Sequence, residues 1–207
     1  WAKRYGLDPS RLCDGICALL DVYRRGGHVF HGKTKAFSQF WDNGNREVQR
    51  GYIPVLKGVP KGLKLLRDAD DEKGRVTQLL TPTGDSIAKQ AVRGWGIDPD
   101  HVEEFITALW KLLSTDIRIL VPVTLKGSRG TPLNGCKRAY QIDADLLTLS
   151  RNPGEGVWQC QKCRRVQTRP TPNNRCLSWR CDGELHFVPQ DTDDYNLVML
   201  DQDFAMV

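Results

Sequence analysis

Cys160-Gln161-Lys162-Cys163 and, after twelve intervening residues, Cys176-Leu177-Ser178-Trp179-Arg180-Cys181 are the stretches that decide how this chain is read. Two residues between thiolates let both sulfurs reach one ion from a tight turn, with backbone amides turned inward. The second pair, spaced Cys-x4-Cys, completes a tetrahedron. The connection from Arg164 to Arg175 has room for a short strand pair and a turn at Pro170 and Pro172. Four thiolates leave no open coordination position. The expected cofactor is therefore a structural Zn2+ held by Cys160, Cys163, Cys176 and Cys181, with residues 151–190 forming a zinc ribbon. Ligation would contribute on the order of 10 kcal/mol to folding a segment with so little core of its own. A redox Cys-x-x-Cys belongs near a βαβ pattern, which is not legible here. The pairing of the two knuckles speaks against four unrelated buried thiols. His186 reads as a bystander, and Cys13, Cys17 and Cys136 read as buried small apolar residues.

Outward from the knuckles, the composition is that of an ordinary globular chain. Its 207 residues are 27% charged with a net charge of +5, and the mean hydropathy is −0.46. There is no run of eighteen apolar residues and no basic start leading into a hydrophobic stretch, which argues against a membrane span or a secretory signal. Seven cysteines, an odd number, do not form a disulfide framework. A reducing, cytoplasmic setting is expected. The first residue is Trp1 rather than Met, and the expectation is an excised fragment of a longer protein or a processed product. Charge is unevenly spread: Ile117 to Arg180 carries twelve Lys and Arg against three Asp and Glu, a net +9. Pro189 to Val207 carries five Asp and no Lys or Arg. That asymmetry suggests a polyanion-facing middle and an acidic tail.

The expected fold class is α+β: winged-helix-like domains followed by the four-cysteine ribbon. Asp8 as N-cap, Pro9 at the first helical position and Gly26-Gly27 as a stop predict a helix over Pro9–Arg25. Leu12, Ile16, Leu19, Leu20 and Tyr23 recur along it at helical spacing. A second helix is expected around Lys33–Trp41, then an extended Ile53–Leu56. A hairpin with arms Gly62–Arg67 and Arg75–Leu80 would follow. Thr81-Pro82-Thr83-Gly84 reads as a linker. Asp85 would cap a helix through Arg93. Asp98 would cap another from Pro99 to about Ser114, with Val102, Phe105, Ile106, Leu109, Trp110 and Leu113 facing inward. Strands are expected over Ile117–Leu125 and Arg138–Ile142, flanking a flexible tip at Gly127–Gly130. Helix, helix, basic hairpin is the order of a winged helix. The domains expected are 1–83, an α+β segment that echoes that order; 84–150, winged-helix-like; the ribbon, 151–190; and an acidic connecting tail, 191–207.

Two further patterns bear on function. Gly27-His28-Val29-Phe30-His31-Gly32-Lys33-Thr34 matches G-x-x-x-x-G-K-T, but a phosphate loop leaves a buried parallel strand and opens a helix. Here it follows an amphipathic helix, so it reads as a Gly-rich connector, and no catalytic residue is assigned. Lys126, Arg129, Lys137 and Arg138 flank the expected wing tip. Lys162, Arg164, Arg165, Arg169, Arg175 and Arg180 stud the ribbon, with Trp158 and Trp179 beside the knuckles. Cations tracking a backbone with aromatics for stacking suit nucleic acid. The helix carrying His101, Glu103, Glu104 and Lys111 is a poor major-groove reader, so DNA contact without sequence specificity is expected.

Val121-Pro122-Val123-Thr124-Leu125-Lys126-Gly127-Ser128-Arg129-Gly130 leads through Tyr140–Asp145 into Trp158–Cys163 and on to Cys176–Gly183. This pattern resembles the insert between the motor lobes of large bacterial DEAD/DEAH-box superfamily-2 helicases, a zinc-containing group associated with DNA repair and phage defence. It covers the C-terminal half well and the N-terminal half loosely. The resemblance implies a nonenzymatic accessory module of an ATP-driven translocase, partnered by DNA and by the motor lobes of the same chain, with Val198–Asp203 leading into the second lobe. No Asp-Glu-x-His or Asp-Glu-x-Asp sequence is present, and the family's catalytic residues are not carried over. The competing reading is a protein-interaction module whose ribbon docks a partner or another domain of the same chain, with the acidic tail binding basic surfaces.

Overall fold

Helix α1 runs over Pro9–Arg25, where the cap and periodicity place it. The Asp8 carboxylate accepts from the Arg11 amide at 2.9 Å, satisfying one of the donors a helix start leaves open. The computed structural model describes residues 2–25, 28–30, 51–54, 75–76, 85–123, 139–147 and 156–189. The expected helix at Lys33–Trp41, the hairpin arm Gly62–Arg67, the wing tip and the acidic tail lie outside the described residues.

The chain divides into two compact units. The first comprises Trp1–Val22, Ile87–Val102 and Thr148–Val207. It holds most of α1, the short helix α2 (Ile87–Gly94) and the ribbon. Ala88, Ala91 and Val92 of α2 are buried, as are Leu12, Ala18 and Leu19 of α1 and the whole indole of Trp95. Close backbone approach makes this packing possible. A Cβ at Gly15 would stand 2.6 Å from Pro172 Cδ and 3.2 Å from the Trp95 ring, so only glycine lets α1 meet both. Asp14, one residue earlier, takes an ion pair from Arg169 at 2.8 Å.

The ribbon is a three-stranded antiparallel sheet in which β6 (Gly156–Cys160) lies between β7 (Val166–Gln167) and β8 (Leu185–Pro189). Six of its apolar side chains, Cys160, Val166, Cys176, Leu177, Leu185 and Pro172, are buried, a very small core for a folded sheet.

The second unit comprises Tyr23–Ser86 and Glu103–Leu147. At the end of the first unit's middle segment Asp98 caps a 3-10 turn at Pro99–His101, accepting from the Asp100 amide at 2.9 Å; helix α3 (Val102–Lys111) follows and from Glu103 on belongs to the second unit. Phe105, Ile106, Leu109 and Leu113 are buried, as expected. Trp110 is half-buried and meets Tyr140 edge-on at 4.7 Å. The final turn widens to π geometry over Leu112–Asp116, closing with Ile117 N–H to Leu112 O at 2.9 Å. Strand β4 (Leu120–Val123) pairs antiparallel with β5 (Ala139–Asp143), aligning Leu120 with Ile142. This pair falls where the sequence predicts two strands.

Unforeseen is the company β5 keeps. Its other edge pairs in parallel with β1 (Val29–Phe30) and antiparallel with β2 (Gly51–Pro54). Strand β3 (Arg75–Val76), within the expected arm Arg75–Leu80, runs parallel to β2, aligning Gly51 with Arg75; the other expected arm lies outside the described residues. Pairs of two residues carry almost no periodic signal, and a parallel partner can lie anywhere upstream in the chain.

Candidate metal centre

Each knuckle is a turn whose amides point at sulfur. Strand β6 delivers Cys160, and the chain reverses at once. The Arg164 amide donates to Cys160 O (3.0 Å), the Cys160 amide to Arg165 O (2.9 Å), and the Cys163 amide to Cys160 Sγ (3.4 Å). Arg164 takes φ +64° to complete the reversal, a conformation costly for a side chain larger than glycine. In the second knuckle the Ser178 amide donates to Cys176 Sγ and the Gly183 amide to Cys181 Sγ, each at 3.4 Å. Arg180 there has φ +59°. The Gln161 amide donates to Glu184 O at 2.9 Å, tying the two turns together.

The four sulfurs lie within 4.8 Å of one another. Cys160 and Cys181 are 3.7 Å apart, and Cys163 and Cys176 3.6 Å. A tetrahedral ion with sulfur at about 2.3 Å requires sulfur–sulfur edges of about 3.8 Å. A disulfide requires about 2.0 Å. The spacing fits a metal ion. The donor set, four sulfurs and no open position, suits a borderline-soft transition ion in a closed site.

Electrostatics point the same way. Burial pushes the Cys176 and Cys181 thiols up. Burial acts to raise Cys163 too, but hydrogen bonds involving Ser178, the Arg165 backbone and the neighbouring thiols outweigh it and hold that thiol at about 6. Without a cation the cluster therefore resists ionising together. A bound divalent ion would stabilise all four thiolates and release protons as it binds.

The floor of the site is Gly183, where a Cβ would stand 2.5 Å from Cys160 Sγ and 3.3 Å from Cys181 Sγ. One wall comes from α2. The Gln90 side-chain amide donates to Ser178 O (2.8 Å) and Cys181 O (3.4 Å), while its oxygen accepts from the Arg180 amide (2.7 Å). Gln90 thus holds the second knuckle from outside the ligand set. Nothing in the sequence flags it, because it is a polar residue on a short helix nearly ninety positions upstream.

The structure distributes the predicted cations unevenly. Lys162 pairs with Asp182 at 2.5 Å, Arg169 with Asp14 at 2.8 Å, and Arg175 donates to Asp182 O at 2.8 Å. Arg180 lies over the Trp179 ring, 5.7 Å from its centroid, and Trp179 is 45% exposed. Arg164 and Arg165 are exposed, and neither takes an acidic partner among the described residues. Contact of 3.4 Å between Cys163 Sγ and Ser178 Oγ sets the two knuckle tips side by side. Lys126, Arg129, Lys137 and Arg138 lie outside the described residues. Trp158 packs against Cys160 and Leu185.

Two sequence expectations change. Cys13 is exposed and Cys17 half-buried. Cys13 follows buried Leu12 by one position, which rotates it about 100° off the buried stripe. Within the G-x-x-x-x-G-K-T match, Val29 and Phe30 form strand β1, and His28 and Val29 are buried. His186 is not one of the clustered ligands. No helix of the described residues is long and apolar enough to cross a membrane.

No protein-family model, no curated protein and no solved structure matches this chain.

Proposed function

We propose that the chain is a nonenzymatic, DNA-binding accessory region of a larger ATP-dependent helicase or translocase, with zinc as the structural ion of the four-cysteine site. In this reading α2, α3 and the β4–β5 pair follow the element order of a winged helix, and the metal holds a cationic rim in place. The observation that carries it is the rim itself. Arg164 and Arg165 are exposed on one knuckle, and Arg180 lies over exposed Trp179 on the other. Phosphates would meet the guanidinium groups, and release of condensed counterions would supply the affinity.

Fluorescence anisotropy with labelled single- and double-stranded DNA tests this. Binding is expected at low salt. Replacing Arg164 and Arg165 together with alanine should lower the slope of log affinity against log salt by about two units. No binding at low salt would sink the proposal.

The second reading, a protein-interaction module whose ribbon docks a partner or another domain of the same chain, draws support from Trp179 and Phe187, which are exposed on the ribbon. Association driven by those side chains would be insensitive to salt, unlike DNA binding.

A further inference from the structure

We propose that Trp158 and Phe187 form a base-stacking platform for single-stranded nucleic acid on the ribbon sheet, an inference that rests on the nucleic-acid reading above. The two residues are directly opposite each other in the β6–β8 register, and β7 sets Gln167 opposite Trp158 on the other side. Side chains alternate between the faces of a strand, so Gln167, Trp158 and Phe187 form one row across one face. On the same face, Trp158 packs against the neighbouring row of Cys160 and Leu185, next to the cysteine cluster. Its ring meets Phe187 edge to face, with centroids 5.6 Å apart at 63°.

Phe187 is 43% exposed, an unusual place for a large ring with no polar atom. One side of the ring is nonetheless walled in. A Cβ at Gly156 would stand 2.7 Å from Phe187 Cζ, so one side of the ring lies close over a residue that must lack a side chain. Residues 156–189 carry six Lys and Arg against two Asp and Glu, and counting four thiolates with a divalent ion leaves a net +2, complementary to a phosphate backbone. An exposed, pre-oriented aromatic surface within a cationic ribbon matches the two requirements for holding a single strand: stacking for the bases and cations for the phosphates. Duplex bases are already stacked on one another and cannot use such a platform.

The test is oligo-dT binding by the full 207-residue chain, followed by anisotropy across a salt series, with Phe187→Ala, Phe187→Leu and Phe187→Trp. The Ala and Leu variants should bind about 5- to 100-fold more weakly with an unchanged salt slope. Phe187→Trp should bind as the parent does, and duplex of equal length should show no dependence on this position. Equal binding by parent and Phe187→Ala overturns the platform while leaving the DNA-binding reading intact. Weakening that extends equally to duplex, or that changes the salt slope, also overturns it. Failure of the parent chain to bind any oligonucleotide at low salt removes both readings, and salt-insensitive capture of a protein in its place identifies the face as a protein-docking surface.

Discussion

At the scale of single residues, two positions tie local chemistry to stability. Gly183 has no room for a side chain because Cys160 Sγ and Lys162 Cβ stand 2.5 and 2.8 Å from where a Cβ would be. Gly183→Ala must push the sulfur or the knuckle backbone aside. Apparent metal affinity should drop about 10- to 100-fold, the range seen when groups supporting metal ligands are disturbed. Competition with a chromophoric chelator would measure it, and unchanged affinity would show that the turn relaxes freely. His28 supplies a pH dependence. Burial pushes its pKa down to about 4, although its ring Nδ1 lies 2.7 Å from Tyr23 O. The unfolded chain, with an ordinary histidine near 6.5, binds more protons than the folded one between those values. Stability from the neutral ring is therefore complete above about pH 6.5 and lost as pH falls toward 4. The total is about 3 kcal/mol. The Ile142 amide donates to His28 O at 2.7 Å, so its hydrogen-exchange protection, referred to the intrinsic rate at each pH, reports on this change. Flat protection from pH 7 to 4 would count against the assignment.

Among the elements, α2 has the clearest testable role. Gln90 is its link to the second knuckle, through contacts of 2.7, 2.8 and 3.4 Å. Gln90→Ala removes the partner of one backbone amide and two carbonyls and should cost about 0.5–1.5 kcal/mol. Gln90→Glu keeps the acceptor for Arg180 and loses the donor, so it should fall between. Denaturant melts of the metal-loaded protein would rank the three chains, and a parent-like Gln90→Ala would dismiss the clamp. These elements also show what a sequence can and cannot display. Helix α1 was legible because Asp8, Pro9 and a seventeen-residue amphipathic pattern agree, and the metal cluster because its spacing has a geometric meaning. Strands β1, β2 and β3, of two to four residues, are too short to show alternation, and their pairing depends on partners distant in the chain. Gln90 and the exposed ring of Phe187 were hidden for a similar reason. Their significance lies in what tertiary packing sets beside them, and neither residue type is unusual for its local pattern.

For the molecule as a whole, the question is what an ion bound by the four-cysteine cluster would hold together. The ribbon's buried apolar side chains are few, and two of them, Cys160 and Cys176, belong to the four-cysteine cluster that could hold the ion. Removing the ion would leave four thiols, of which burial disfavours ionising Cys176 and Cys181. It would also remove a contribution on the order of 10 kcal/mol, more than so small a sheet can replace. Chelation should therefore abolish exchange protection at the amides of β6, β7 and β8. It should also weaken the packing of Pro172 and Trp95 around Gly15, visible as a loss of Trp95 burial. The β4–β5 amides, whose hydrogen bonds involve no ribbon residue, provide the reference within the same spectrum. Lowering the pH should act like the chelator, because each thiolate released from the ion takes up a proton, and adding the metal back at neutral pH should restore protection. A metal-free chain that keeps its β6–β8 amides protected would mean that the ribbon folds on side-chain packing alone. The four sulfurs would then be a consequence of the fold and not its cause.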